Sequence, residues 1–161
     1  MEVRRAAPED YAALSDLIVA AYEEFTQGPE DPYVDSLRDV ALRDREAELW
    51  VAEEDDGQIL GCVTWCPPGS AWREISQDTQ GEFRMLAVAP TARGRGAGEA
   101  LVRLCESLSL QSGATTMVLS SLDAMTAAHR LYGRLGYRRV PALDWDPVPG
   151  VHLIAYSKEL S

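Results

Sequence analysis

The sequence predicts a mixed α/β fold, one sheet flanked by helices, and three features carry that prediction. Segments of strand and helix character follow one another as strand, two helices, three strands, helix, strand, helix, two strands. A tight turn, Asp55-Asp56-Gly57, joins two apolar runs as a hairpin requires. Residues 82–101 run an apolar strand through the glycine-rich Arg93-Gly94-Arg95-Gly96-Ala97-Gly98 and into a helix. At 161 residues and 46% hydrophobic, the chain is the size of one domain, 1–161, and can bury a substantial core.

The elements follow from local chemistry. Residues 2–6 read as a strand, and Pro8, at a helical position that has no N–H to satisfy, opens a helix with Leu14, Leu17, Ile18 and Ala21 on one face. Gly28-Pro29-Glu30-Asp31-Pro32 breaks it, and a second, more polar helix runs from Tyr33 into the early forties, with Val34, Leu37, Val40 and Ala41 spaced for burial. Residues 48–53 and 58–66 are antiparallel strands ended by Pro67-Pro68-Gly69. The strand at 82–89 stops at Pro90, and the helix beyond the glycine turn carries Leu101, Leu104, Cys105 and Leu108 along one face as far as Gly113. Residues 116–121 are a β-branched, apolar strand. Asp123 is placed to cap a helix bearing Ala128, Leu131, Tyr132 and Leu135, with Gly136 as its stop. Strands at 137–140 and 151–160, separated by a loop at 141–150, complete the chain.

Composition narrows the function classes. Three cysteines are an odd number without disulfide-scaffold density, and Glu2, Arg4 and Arg5 stand where a secretory signal needs an apolar run. The apolar stretches fall well short of the ~20 residues of a membrane span. A cytoplasmic protein without a membrane partner is expected, and a homodimer is compatible with the sequence. The net charge of −11 argues against a nucleic-acid partner. That charge is uneven: residues 1–81 carry −13 and residues 82–161 carry +2. An anionic ligand is expected to meet the second half, and a small cationic partner to be drawn to the first.

The turn at 93–98 is built to hold a phosphate. Glycine lets the backbone approach an anion and take positive φ, while the first helical amides point unpaired donors and a positive dipole end at it. Spacing separates the families that use such turns. A dinucleotide fingerprint needs G-x-G-x-x-G, whereas Gly94, Gly96 and Gly98 alternate here. A P-loop needs Gly-Lys-Ser/Thr, whereas the one lysine of the chain is Lys158. Arg93-Gly94-Arg95-Gly96-Ala97-Gly98 instead resembles the acyl-CoA pyrophosphate loop, Q/R-x-x-G-x-G/A, of the GNAT acetyltransferase superfamily. Met85-Leu86-Ala87-Val88 has the shape of that family's preceding strand, and Ala128-His129-Arg130-Leu131-Tyr132-Gly133-Arg134-Leu135-Gly136-Tyr137 resembles its A-x-x-L-Y-x-x-L-G-F/Y signature. The resemblance covers nearly the whole order of elements, with its motifs between residues 82 and 137.

The resemblance implies a central, mostly antiparallel splayed sheet flanked by helices, acetyl-CoA as co-substrate, and transfer of acetyl to an amine by direct attack in a ternary complex. The acceptor would be a small molecule or a peptide or protein N-terminus. It also implies roles. A bulge before the glycine turn opens a gap for the pantetheine arm, with Leu86, Ala87 and Val88 offering backbone groups and the Val88 amide polarising the thioester carbonyl. Arg93, Gly94, Arg95, Gly96, Ala97 and Gly98 hold the pyrophosphate. Tyr132 protonates the departing thiolate, and Glu82, at the start of the strand, is a candidate general base in place of a water chain. Alternation puts Arg84 on the face of Glu82, where pairing would weaken that base. Many family members have Asn where Met125 stands, so that contact is lost or passes to Ser120, Ser121 or Thr126. In this fold the acceptor is selected by the first helices and the last loop, which nominates Tyr22, Glu23, Glu24, Phe25, Asp31, Trp65, Trp145 and Asp146. His129 and His152 lack metal-ligand spacing, and Cys62 and Cys66 have no second pair, so no metal site is read. The competing reading is a non-catalytic acyl-CoA-binding sensor or regulatory module on the same fold, which needs the glycine turn but not Tyr132.

Overall fold

The computed structural model describes residues 1–161. Eight strands form one sheet: β1 (Glu2–Arg5), β2 (Glu48–Glu53), β3 (Ile59–Cys66), β4 (Gln80–Val88), β5 (Thr116–Leu122), β6 (Arg138–Arg139), β7 (Trp145–Val148) and β8 (Val151–Glu159), ordered β1-β2-β3-β4-β5-β8-β6 with β7 against β8. Five helices cover it: α1 (Tyr11–Tyr22), α2 (Pro32–Arg38), α3 (Val40–Glu46), α4 (Ala97–Gln111) and α5 (Thr126–Arg134). All pairings are antiparallel except β4 with β5. No helix is long and apolar enough to cross a membrane.

Period-two alternation divides the core between the faces of the sheet. Leu14, Ile18, Leu37 and Val40 of α1–α3 bury against Leu49, Val51, Cys62, Met85 and Ala87 on one face. Leu101, Val102 and Cys105 of α4, Tyr132 of α5 and Leu135 just after it bury with Leu60, Val63, Trp65 and Phe83 on the other. Phe83 and Met85 should share a face, yet they belong to opposite cores. The cause is a bulge: Cys62 pairs with Ala87 and Thr64 with Arg84, so β4 carries one residue more than β3, and Met85 has φ 54°.

Three local expectations are corrected. The second helix is two, because Asp39 leaves helical geometry at φ −80°, ψ 64° and its carboxylate accepts from Leu42 N–H to cap α3. Asp123 does not cap α5, which starts after Met125 with no side-chain cap. The 141–150 loop contains β7, folded onto β8 through a turn at Pro149 and Gly150 with Val148 opposite Val151. The local alternation in that loop is too brief to announce a strand.

Candidate active site

The site begins where the sheet opens. Beside β5, β4 is paired over three residues only, Gln80, Gly81 and Glu82, whereas β5 continues along β8 as far as Leu122. Beyond Glu82 the edge of β4 is unpaired. Ala89 N–H donates to Leu60 C=O at 2.8 Å and Val88 pairs with Gly61, so antiparallel alternation turns the N–H and C=O of Val88 away from β3 and into the gap. The Leu86 carbonyl faces the same space and accepts from the Tyr22 hydroxyl at 3.4 Å.

Two adjoining chambers occupy the opening, sharing Tyr22, Phe25, Leu86, Met125 and Ala128 in their walls. The outer one, about 520 Å³, is bounded by the glycine turn and the start of α4. Gly94 and Gly96 take φ +82° and +87°, and the space where a Cβ would stand is clear for 4 Å at both. The first bond of α4 runs from Ala100 N–H to Gly96 C=O at 3.0 Å, which leaves the amides of Ala97, Gly98 and Glu99 without helical partners. Arg93 is exposed on this wall, and Arg134 of α5 joins it. Gly98 has another reason to be glycine, because a Cβ would stand 3.1 Å from Leu131 of α5. Unpaired amides, bare backbone and two arginines make a cradle that fits a pyrophosphate. Thr126 lines this chamber and Met125 both, while Ser120 and Ser121 line the inner one.

The inner chamber, about 430 Å³, lies between α2, the loop before β4, the splayed strands and the β7–β8 hairpin. Tyr132 forms part of its wall at 4% exposure, with its ring centroid 6.1 Å from Phe83, 5.9 Å from Tyr137 and 5.6 Å from Tyr156. Its hydroxyl makes no hydrogen bond within the chain. Burial pushes the phenol well above its ordinary value, with Cys105 and Tyr156 adding to the shift, so it keeps its proton.

The other nominated residues divide. Leu86, Ala87, Val88, Arg93, Gly94, Gly96, Ala97 and Gly98 all line the outer chamber, and Arg95 does not. Tyr22 and Phe25 line both chambers, Glu24 the outer and Asp31 the inner. Glu23 is exposed away from both. Trp65 is a core residue whose Nε1 donates to Ser109 Oγ at 2.9 Å, because its position on β3 turns it toward α4. Trp145 is close behind the wall, donating to Ser120 Oγ at 3.3 Å, and Asp146 pairs with His152 at 2.6 Å.

Glu82 is wholly buried and lines neither chamber. Its carboxylate accepts from the amides of Glu74 at 3.1 and 3.2 Å, Ile75 at 3.3 Å and Ser76 at 3.1 Å, so it ties down the loop before β4. Nor does it pair with Arg84, whose partner is Glu74 at 3.0 Å. Arg84 and Glu74 both line the inner chamber, which the sequence did not disclose for Glu74 because its loop has no periodic pattern. The three cysteines are free and buried, and burial lifts the Cys62 and Cys66 thiols to about 12.

Known proteins resemble this chain in sequence or in fold. An uncharacterized N-acetyltransferase of Schizosaccharomyces pombe is 33% identical over 106 residues, 64% of this chain and 59% of that protein. Human N-acetylaspartate synthetase is 32% identical over 105 residues, 65% of this chain and 32% of that one. The chain thus spans less than two thirds of either relative. A Salmonella typhimurium protein described as an acetyltransferase, solved with its cofactor acetyl-CoA, has the same fold at a TM-score of 0.70 and 20% identity, over 100% of this chain and 94% of that one. The acetyltransferase (GNAT) family model matches residues 11–137, from the start of α1 to the end of the Leu131-Tyr132 motif, and the chain belongs to the GNAT family.

Proposed function

We propose that residues 1–161 form one GNAT unit that moves acetyl from acetyl-CoA to the amine of a small molecule, by direct attack while both substrates are bound. The observation that carries the reading is the opening of β4 from β5, with the phosphate cradle at one end and the unbonded Tyr132 hydroxyl at the other. A sensor module would need the cradle alone. Acetyl-CoA has support from the cradle and from the Salmonella typhimurium neighbour, and a small acceptor has support from the relative named for N-acetylaspartate.

Bound acetyl-CoA would supply an activated thioester, and the chain's groups do the rest. The amides of Ala97, Gly98 and Glu99 with Arg93 hold phosphate charge, and Arg134 adds to the same wall. The Val88 N–H, fixed by the ladder, is oriented to stabilise oxyanion charge as the amine nitrogen forms its bond to the carbonyl carbon. As the carbon–sulfur bond breaks, Tyr132 gives its proton to the sulfur. The burial that lifts the phenol above its ordinary ~10 acts on the departing thiolate in the same direction, raising the basicity of a sulfur whose acid is near ~8.5 in water, so the transfer relieves an unsolvated sulfur anion. The ammonium proton leaves by water, since the Glu82 carboxylate is committed to three backbone amides. The test is thiol release from acetyl-CoA across an amine library, alongside calorimetric binding of acetyl-CoA. Binding without thiol release from any amine would leave the sensor module as the better reading.

A further inference from the structure

Each charged side chain on the wall of the inner chamber is already answered from within the chain. Arg84 stands with Nε 3.0 Å from Glu74 Oε1 and donates from Nη1 to Trp72 C=O at 3.2 Å. The Tyr33 side chain is a further hydrogen-bond partner, and the Trp72 ring lies 5.3 Å from the guanidinium. Asp31 accepts from the amides of Gln27 at 2.9 Å and Tyr33 at 3.0 Å. A carboxylate or a second ammonium ion in the body of a ligand would have to break one of these contacts to be paired, and an ion left unpaired where water is excluded is costly. The exposed acids Glu23, Glu30, Asp35 and Asp39 line neither chamber, so the acidic excess of residues 1–81 does not set the polarity here. The rest of the wall is largely apolar, and the β7–β8 hairpin supplies a continuous part of it. Trp145 stands opposite Leu153 and Val148 opposite Val151, and alternation turns Val151 and Leu153 to the chamber while His152 pairs with Asp146 outside it. Pro147 and Val148 extend this side, Val148 being 53% exposed. Pro32 and Tyr33 of α2 line the same chamber. None of these six residues lines the outer chamber with its phosphate cradle, so they stand away from the walls that the two chambers share.

We propose that the body of the acceptor is apolar and uncharged, an alkyl or aryl chain that carries the reacting amine, and that the β7–β8 hairpin selects it. The proposal rests on the acetyltransferase reading of the same cavity. The amine points toward the walls shared with the outer chamber, where the thioester enters, and the body lies along Val148, Val151 and Leu153. Methylene groups set against that side remove apolar surface of both partners from water, so a longer apolar body binds better. A largely apolar wall with a few polar groups to orient the ligand is the usual build of a small-molecule site, and here the unbonded Tyr132 hydroxyl is one such group.

The test uses straight-chain primary amines from propylamine to hexylamine, which hold the reacting group constant while the body lengthens. At saturating acetyl-CoA, kcat/KM read by thiol release should rise ~3–4-fold per added methylene. Hexylamine should be used ~10-fold or more better than 6-aminohexanoate or 1,6-diaminohexane, whose far ends are charged. Calorimetric titration of the same compounds into the CoA-saturated protein is the second readout. Leu153→Asp should cut the hexylamine value ~10-fold or more and flatten the series, with acetyl-CoA affinity unchanged. Val148→Asp, at an exposed position, gives the same comparison if Leu153→Asp does not fold. Equal or better use of the charged compounds overturns the apolar site and leaves acetyl transfer standing. Binding that tightens with chain length, without thiol release from any amine, keeps the apolar site and overturns acetyl transfer. If neither readout improves with chain length, the proposal is wrong.

Discussion

Tyr132 sits among three aromatic rings, yet its hydroxyl gives its hydrogen to none of the chain's acceptors, so removal of that one oxygen separates packing from chemistry. In Tyr132→Phe the ring stays, stability should change by less than about 1 kcal/mol, and turnover should fall ~10²-fold or more with acetyl-CoA affinity unchanged. Unaltered turnover at saturating substrates would assign the tyrosine to the core alone. Its raised pKa also fixes the sign of the pH profile. The phenol remains protonated through neutral and mildly alkaline pH, so kcat/KM should climb as the acceptor amine loses its proton and show no alkaline fall below pH ~10. A descending limb between pH 7 and 9 in a rate profile would remove Tyr132 as the acid. Glu82 is the counterexample at this scale. Sequence alone shows a carboxylate at the start of the right strand, but the amides that claim it come from residues 74–76, in a loop whose path no local pattern reveals.

The glycine turn and the helix it opens act as one element, and both were legible because each needs particular residues at fixed spacing. Gly96→Glu would put a β-carbon at φ +87° and a carboxylate before the unpaired amides. Calorimetry should then show acetyl-CoA affinity lost by ~10²-fold or more, with the far-ultraviolet spectrum of the fold retained. An affinity equal to the parent's would move the phosphate site elsewhere. The same turn explains which elements escaped a reading of the chain. Helix α4 announces itself with a long apolar face, whereas α2 and α3 differ from one helix by a single residue, Asp39, whose side chain competes for a backbone amide. The bulge at Met85 was expected from the family resemblance and not from residue types, since Arg84-Met85-Leu86 carries no glycine to mark it.

At the scale of the molecule the sheet is two parts held by a short seam. Strands β1–β4 and strands β5–β8 meet along three paired residues of β4 and β5, reinforced by α4, whose Ser109 accepts from Trp65 of β3 and whose Glu106 accepts from Lys158 of β8. A ligand that fills the opening contacts both parts. Acetyl-CoA at a hundred times its Kd should therefore stabilise the protein by about 2.7 kcal/mol, seen as a rise of ~5–11 °C in Tm by calorimetry. Gly96→Glu should abolish that rise, and a rise that persists in the variant would place binding outside the cradle. The inner chamber is the part least accessible to a linear reading. Ser36, Glu74, Arg84, Tyr132 and Val148 come from α2, a loop, β4, α5 and β7, and only the completed fold brings them to one wall.

Lys158, the one lysine in 161 residues, extends from β8 to Glu106 of α4, its Nζ 3.1 Å from both carboxylate oxygens, with the Tyr137 ring at 5.5 Å. Held as an ammonium ion, that nitrogen has no lone pair to offer an electrophile. Residues 1–161 thus present no free lysine amine for an activated thioester to modify by accident. Amine-directed labels should therefore react slowly at Lys158, seen as little added mass on the peptide that carries it.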